Sequence, residues 1–172
     1  ADADYAPAYI QLGLIYNLTN RQPEALKSFK KALALNPQQT DALALVVGLN
    51  VRDKKYDEAL NACEDHKKKV SDLPASLALI EYLEGNIFLA KQDTKAAQER
   101  FKKAIDTEPN NPAAYVALAE IYAREKRFDE AIKEYETVIA KNPKYLAGTM
   151  ALGTIYDQKG DGKKAEAYYR KA

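Results

Sequence analysis

The chain has 172 residues, and its 26 lysines and arginines against 25 aspartates and glutamates leave a net charge of +1. That balance argues against the basic footprint of a nucleic-acid binder, one cysteine cannot form an intrachain disulfide, and one histidine leaves no standard metal set. No apolar run is long enough to cross a bilayer, and the N-terminus lacks a signal-peptide layout. The compartment is left unassigned: cytoplasmic by default, bacterial envelope if a full-length protein carries a signal sequence.

The first helical pair is expected from about Pro7 to Pro37. Pro7 suits the first turn of a helix, where its missing donor costs nothing. The first helix, through Leu18, carries Ile10, Leu12, Leu14, Ile15, Tyr16 and Leu18, which nearly surround its axis. The second sets Ala25, Leu26, Phe29, Ala32 and Leu33 on one side, with Lys27, Lys30 and Lys31 facing out. An all-round apolar helix is a buried one and a striped helix a surface one. First helices are therefore expected to line the inside of a curve and second helices to form its outer wall.

The second pair, from about Thr40 to Val70, is the least regular: Asn50 stands where an inward tyrosine is expected, Cys63 replaces an aromatic, and His66 a small residue. Cys63 reads as a small hydrophobe, and His66 as a packed or half-exposed helix residue. A catalytic or metal role for the two is rejected, since a metal site needs further donors. In the third pair, Asp72-Leu73-Pro74 places a capping residue and a proline at a helix start. Four extra residues make this first helix the longer one, beginning near Leu73. Glu81 and Glu84 occupy positions normally apolar, and the extra turn is expected to let them reach solvent or pair with Lys67-Lys68-Lys69. A hinge or a polar partner contact is the alternative reading. The second helix runs from Thr94 to Thr107.

The fourth pair, Pro112 to Pro143, sets Tyr115, Leu118, Ala119 and Tyr122 against Ala131, Tyr135 and Val138. Asp129 and Lys141 sit at the ends the helix dipole favours, and Asn142-Pro143 stops the second helix. In the fifth, Gly160-Asp161-Gly162 gives a tight corner. The Lys163-Lys164 that follows lacks the spacing and hydroxyl of a phosphate loop. Asn17-Leu18-Thr19 fits a glycosylation triplet, but its place at a helix end gives it little weight.

The pairs are copies. Ala25, Ala59, Ala97, Ala131 and Ala165 lie 34, 38, 34 and 34 residues apart, each followed four residues later by Phe29, Cys63, Phe101, Tyr135 and Tyr169. A fixed period of this length marks a solenoid. With Tyr9, Leu12-Gly13, Tyr16, Ala25, Phe29 and Pro37, and again Tyr115, Leu118, Tyr122, Ala131, Tyr135 and Pro143, the chain resembles the tetratricopeptide repeat family. The resemblance implies an all-α, right-handed solenoid of stacked antiparallel helix pairs. It divides residues 1–172, as one array, into repeats at about 6–39, 40–73, 78–111, 112–145 and a truncated 146–172. No end repeat shows the polar outer face that a solenoid needs, so the chain is expected to be a piece of a longer protein.

An enzyme needs convergent groups, and neither Asp157 with His66 nor Glu81 with Glu84 departs from ordinary repeat positions. No catalytic residue, metal or cofactor is assigned. The family commonly binds peptides along the inner face of its first helices. Here that face is expected to comprise Ile10, Leu14 and Asn17, then Leu45 and Arg52, then Tyr82, Leu83 and Asn86, then Val116, Glu120 and Arg124, and finally Met150. Family members that clamp acidic chaperone tails use lysine, asparagine and arginine at places held here by Ile10, Leu14, Leu45, Leu79 and Leu83, so that clamp is absent. A non-catalytic scaffold holding a helical or apolar peptide of a protein partner in the concave groove follows. Three alternatives stand beside it: a structural or self-associating segment of a larger bacterial envelope or secretion scaffold, the regulatory or substrate-presenting domain of an enzyme, and leucines that only tighten helix packing.

Overall fold

The computed structural model describes residues 5–172. Ten helices lie among them, in five pairs: α1 (Ala6–Leu18) with α2 (Gln22–Leu35), α3 (Thr40–Arg52) with α4 (Tyr56–Lys67), α5 (Pro74–Ala90) with α6 (Thr94–Thr107), α7 (Pro112–Arg124) with α8 (Phe128–Lys141), and α9 (Leu146–Gln158) with α10 (Gly162–Lys171). Proline opens α1, α2, α5 and α7 within the first two positions, where its lost donor was unpaired anyway. Asn111 caps α7 by accepting from the Ala113 amide at 3.0 Å, and Asp161 caps α10 through the Lys164 amide at 3.2 Å.

The same corner joins the helices of every pair. One residue takes a positive φ: Asn20 at 57°, Lys54 at 59°, Gln92 at 64°, Lys126 at 59° and Gly160 at 78°. The next amide reaches back five residues to a carbonyl. Arg21 donates to Tyr16, Lys55 to Asn50, Asp93 to Phe88, Arg127 to Tyr122 and Asp161 to Tyr156, at 2.8–2.9 Å. This is a Schellman closure, which satisfies carbonyls the helix end leaves open. Only Gly160 adopts the left-handed conformation without a steric penalty. In the first and fourth pairs an arginine then lies over the tyrosine whose carbonyl is used: Arg21 over Tyr16 at 4.4 Å and Arg127 over Tyr122 at 4.2 Å.

Close approach within a pair depends on a missing side chain. A Cβ at Gly13 would meet the Phe29 ring at 2.4 Å, and one at Gly153 would meet the Tyr169 ring at 2.5 Å. The marker alanines Ala25, Ala59, Ala97, Ala131 and Ala165 are all buried.

The chain divides into two compact units, Ala1–Ala97 and Gln98–Ala172. In a repeat stack each pair touches only its neighbours, so no single core spans the whole length. In the N-terminal unit α1 packs on α2, α2 on α3, α3 on α4, and α5 on both α3 and α4. Its core is built around Phe29, Leu43, Val46, Cys63, Val70, Ile80 and Ile87. In the C-terminal unit α7 packs on α8, α8 on α9 and α9 on α10; Leu118, Ile121, Val138 and Leu152 are enclosed there.

Three expectations change. The all-round apolar α1 is not buried all round: Leu12, Ile15 and Leu18 are exposed, because no described element covers that side. The N-cap of α5 is Leu73, with Asp72 one residue outside, and α5 has 17 residues against 13 in α1, α3, α7 and α9. Glu81 and Glu84 are buried and do not reach solvent, while the other half of that expectation holds at Glu84, whose Oε1 lies 2.7 Å from Lys67 Nζ.

Replacing Lys54 or Lys126 with glycine is expected to stabilise the fold by about 1 kcal/mol, by removing the left-handed penalty. Gly13→Ala is expected to cost about 1–3 kcal/mol, by driving a methyl into the Phe29 ring. Urea titration of the three variants beside the parent chain measures both signs at once.

Candidate functional site

The C-terminal unit carries two exposed stripes at helical spacing. On α7, Val116, Glu120 and Arg124 follow one another at four-residue intervals, the first half-buried and the others exposed. On α9, Leu146 and Met150 are 54% and 55% exposed, and Thr154 continues the line. A cleft of about 520 Å³ opens beside them, bordered by Ala123, Arg124 and Lys126, by Tyr135 of α8, and by Ala151, Thr154, Ile155 and Gln158 of α9.

Its chemistry is that of a binding surface with few polar anchors. Burial pushes the Tyr135 hydroxyl up to about 12, with Glu120 and Tyr145 adding to the rise and Arg124 opposing it. The phenol therefore stays neutral, able to donate or accept a hydrogen bond. Arg124 Nη2 stands 3.8 Å from Glu120 Oε2, with both side chains more than half exposed. Such a surface pair is worth little, so the guanidinium can turn to an incoming carboxylate at small cost. Met150 adds a flexible, polarisable side chain of the kind that adapts to varied partners.

Of the residues that the sequence assigns to a groove, Val116, Glu120, Arg124 and Met150 belong to these stripes. Those in the N-terminal unit fare differently. Ile10 and Leu83 are buried, while Leu14 and Leu45 are half-buried against the core. Asn17, Tyr82 and Asn86 are half-buried, with Asn17 Oδ1 enclosed and making no hydrogen bond; Arg52 is exposed. The apolar trough expected there is therefore withdrawn at Ile10 and Leu83. Both belong to the hydrophobic core of the N-terminal unit, where the first helices α3 and α5 also pack on one another. Tyr135, Lys126 and Gln158 were missed because they lie on the second helix, in a corner and at a helix end. The one available signal was the tyrosine standing where other repeats place phenylalanine.

The irregular second pair supplies no reactive centre. Cys63 is buried, and desolvation, then the nearby Glu84, pushes its thiol up to about 12. A thiol held protonated is a poor nucleophile. His66 is buried as well, and desolvation holds it below its ordinary 6.5, although its hydrogen bond to the Pro37 carbonyl opposes the shift. Its Nε2 makes no hydrogen bond. Among the described residues no group of three or more His, Cys, Asp and Glu is placed to hold a metal ion, and no helix is long and apolar enough to cross a membrane.

Family models of the tetratricopeptide repeat match residues 6–39, 88–147 and 127–172, together well over half of the sequence. The chain belongs to the tetratricopeptide repeat family. Superkiller protein 3 of Schizosaccharomyces pombe is 27% identical over 87% of this chain and 11% of its own length. Human protein O-mannosyl-transferase TMTC1 is 27% identical over 94% of this chain and 18% of its own. The chain thus spans less than a fifth of either relative. Among solved structures, yeast Tom70 superposes with a TM-score of 0.85 at 21% identity, over 98% of this chain and 36% of Tom70. YrrB, a tetratricopeptide protein with an unusual peptide-binding site, does so with a TM-score of 0.61 at 21% identity, over 99% and 86%. Likeness at this identity establishes the all-α repeat fold.

Because the fold holds His66 neutral, its contribution to stability is present above the ordinary histidine value and is lost as pH falls through it toward the lower folded one. His66→Val, which installs the residue found at Val138, is expected to flatten stability between pH 7 and 5. The parent falls there with a slope of at most ~1.4 kcal/mol per pH unit for one proton. Denaturation midpoints across that range, read as the difference between the two proteins, check it.

Proposed function

We propose that this chain is a non-catalytic protein-interaction scaffold, and that its C-terminal unit holds a helical or apolar segment of a partner protein along α7 and α9. The observation that carries the reading is the exposed pair Leu146 and Met150, in line on α9 with Thr154, which borders the cleft together with Arg124, Lys126 and Tyr135. Large apolar side chains one helical turn apart are what an amphipathic helix docks against, and an apolar strip rimmed by polar groups is how interaction patches present themselves. Two cations at one end favour a segment that brings a carboxylate beside its apolar residues.

The family supports the coarser part of this reading, since tetratricopeptide repeats are protein-interaction scaffolds, and YrrB is a member with a peptide-binding site. The name transferase belongs to TMTC1 as a whole, of which this chain matches 18%. The non-catalytic reading rests on residue chemistry: the single cysteine is buried with a raised thiol, and the single histidine is enclosed.

Peptides selected from a random display library on the intact chain, with affinities measured by titration calorimetry, test the assignment. Met150→Glu and Leu146→Glu are expected to weaken the selected peptides by about tenfold or more each, the scale of a lost central anchor, with thermal midpoints unchanged because both side chains already face water. Arg124→Ala is expected to weaken acidic sequences selectively. Peptides that bind all three variants as well as the parent would place the site elsewhere.

A further inference from the structure

Tyrosine stands at the register of Phe29 and Phe101 in two pairs, as Tyr135 on α8 and Tyr169 on α10. The two hydroxyls are used differently. Tyr169 donates to Thr154 Oγ1 at 3.4 Å. Tyr135 is 6% exposed and borders the cleft of about 520 Å³, and its hydroxyl makes no hydrogen bond among the described residues. Nor is it one of the enclosed polar atoms that lack a partner, so the tip of the side chain meets the cleft. Phenylalanine fills the same place in the first and third pairs, so the fold does not require this hydroxyl. A polar group fixed in an apolar wall and left open to a cleft is what orients a ligand.

The groups around that tip carry charge of both signs. Besides burial, Glu120, Tyr145 and Arg124 act electrically on the Tyr135 hydroxyl, in that order. Arg124 Nη2 stands 3.8 Å from Glu120 Oε2, beyond hydrogen-bond reach. Lys126, on the same rim, makes no ion pair among the described residues. Two cations thus face one loosely held carboxylate. That carboxylate belongs to the chain itself and competes with any anion arriving from outside.

We propose that Glu120 is a built-in stand-in for the ligand: a carboxylate of the partner protein takes its place beside Arg124 and accepts hydrogen bonds from that guanidinium and from the Tyr135 hydroxyl. Lys126 adds attraction at the rim. The incoming group gains what Glu120 lacks, a second donor held in position by the burial of its ring. The places of the family's acidic-tail clamp are not used; apolar residues hold them here. That the carboxylate comes from a protein segment rests on the function proposed above, whereas the carboxylate site itself is tested without one.

The probe is butyrate, with butyramide as its neutral match, titrated into the intact chain and followed by NMR at the Arg124 side chain and the Tyr135 ring. Butyrate is expected to shift both signals in a saturable way, and butyramide neither. Glu120→Gln is expected to tighten butyrate by about twofold to fivefold, because a competing ion pair and a like charge leave together. Loss of a merely structural contact would not improve binding. Tyr135→Phe is expected to weaken butyrate by about tenfold, the scale of a hydrogen bond to a charged group. Its denaturation midpoint is expected to stay unchanged, since no bond within the chain is lost. Equal affinity in the parent and either variant overturns the proposal, and so does the absence of a saturable shift. Peptides selected on the intact chain give the second arm. Loss of binding when their acidic side chains become amides marks a side-chain carboxylate; loss on amidation of the C-terminus marks a chain end. Peptides indifferent to both changes sink the carboxylate assignment. If butyrate follows these variants while Leu146→Glu and Met150→Glu leave every peptide unaffected, the carboxylate site stands and the α9 strip alone is overturned.

Discussion

The left-handed corner between the two helices of each pair is the constraint on which the rest of the structure depends. It fixes where the first helix stops, through a bond from the residue beyond the corner to a carbonyl five places back. It also sets the register in which the second helix returns. Once that register is set, the marker alanine faces the first helix, and the residue four places later lies over the position held by Gly13 or Gly153. In the first and fifth pairs the close approach works because one side supplies a ring and the other nearly nothing. Four of the five corners place a non-glycine residue at positive φ. The strain persists because packing of the whole hairpin over-determines it, and it explains how a consistent corner can come from such dissimilar residues as asparagine, lysine and glutamine.

Cohesion is local in consequence. Each pair is stabilised by its own closure and by its neighbours, and stability is close to a sum of such terms. The second pair is where that sum is most exposed to chemistry. Asn50 satisfies its amide on the Val46 carbonyl at 3.0 Å, Glu84 meets Lys67, and the enclosed His66 must stay neutral. Burying these groups costs solvation that only good pairing returns. Cys63 is smaller and His66 larger than the residues at the same places in other pairs, and both are buried.

How much of this was legible in the sequence follows from what periodicity can encode. The alanine series and the aromatic four places on fix pairing and register, because both are short-range and repeat at a set interval. The longer α5 was legible from Pro74 and from the four added residues. Exposure along the first helices was not. Such a helix has three apolar contacts to make: its own partner, the preceding pair and the next first helix. A continuous apolar circumference does not say which of these is met. Ile10 and Met150 share a register, yet one is buried and the other open; nothing local to either residue carries that difference. Glu81 and Glu84 show the converse. Their charge suggested solvent or the Lys67-Lys68-Lys69 run, and it is Lys67, one helix away, that makes burial tolerable for Glu84.

The distribution of charge decides how such a surface can choose a partner. Most ion pairs are local: Arg21 with Glu24, Lys68 with Asp65, Arg170 with Glu166, and Arg127 with both Glu125 and Glu130. These cancel over a few ångströms, and a net charge of +1 contributes little to steering an encounter. Screening by salt removes little that was there. Discrimination must then arise after contact, from the fit of apolar side chains into the openings that helix packing leaves, with a few cations such as Arg124 setting orientation. Along α9 the function proposed above puts that fit on the exposed strip of Leu146 and Met150.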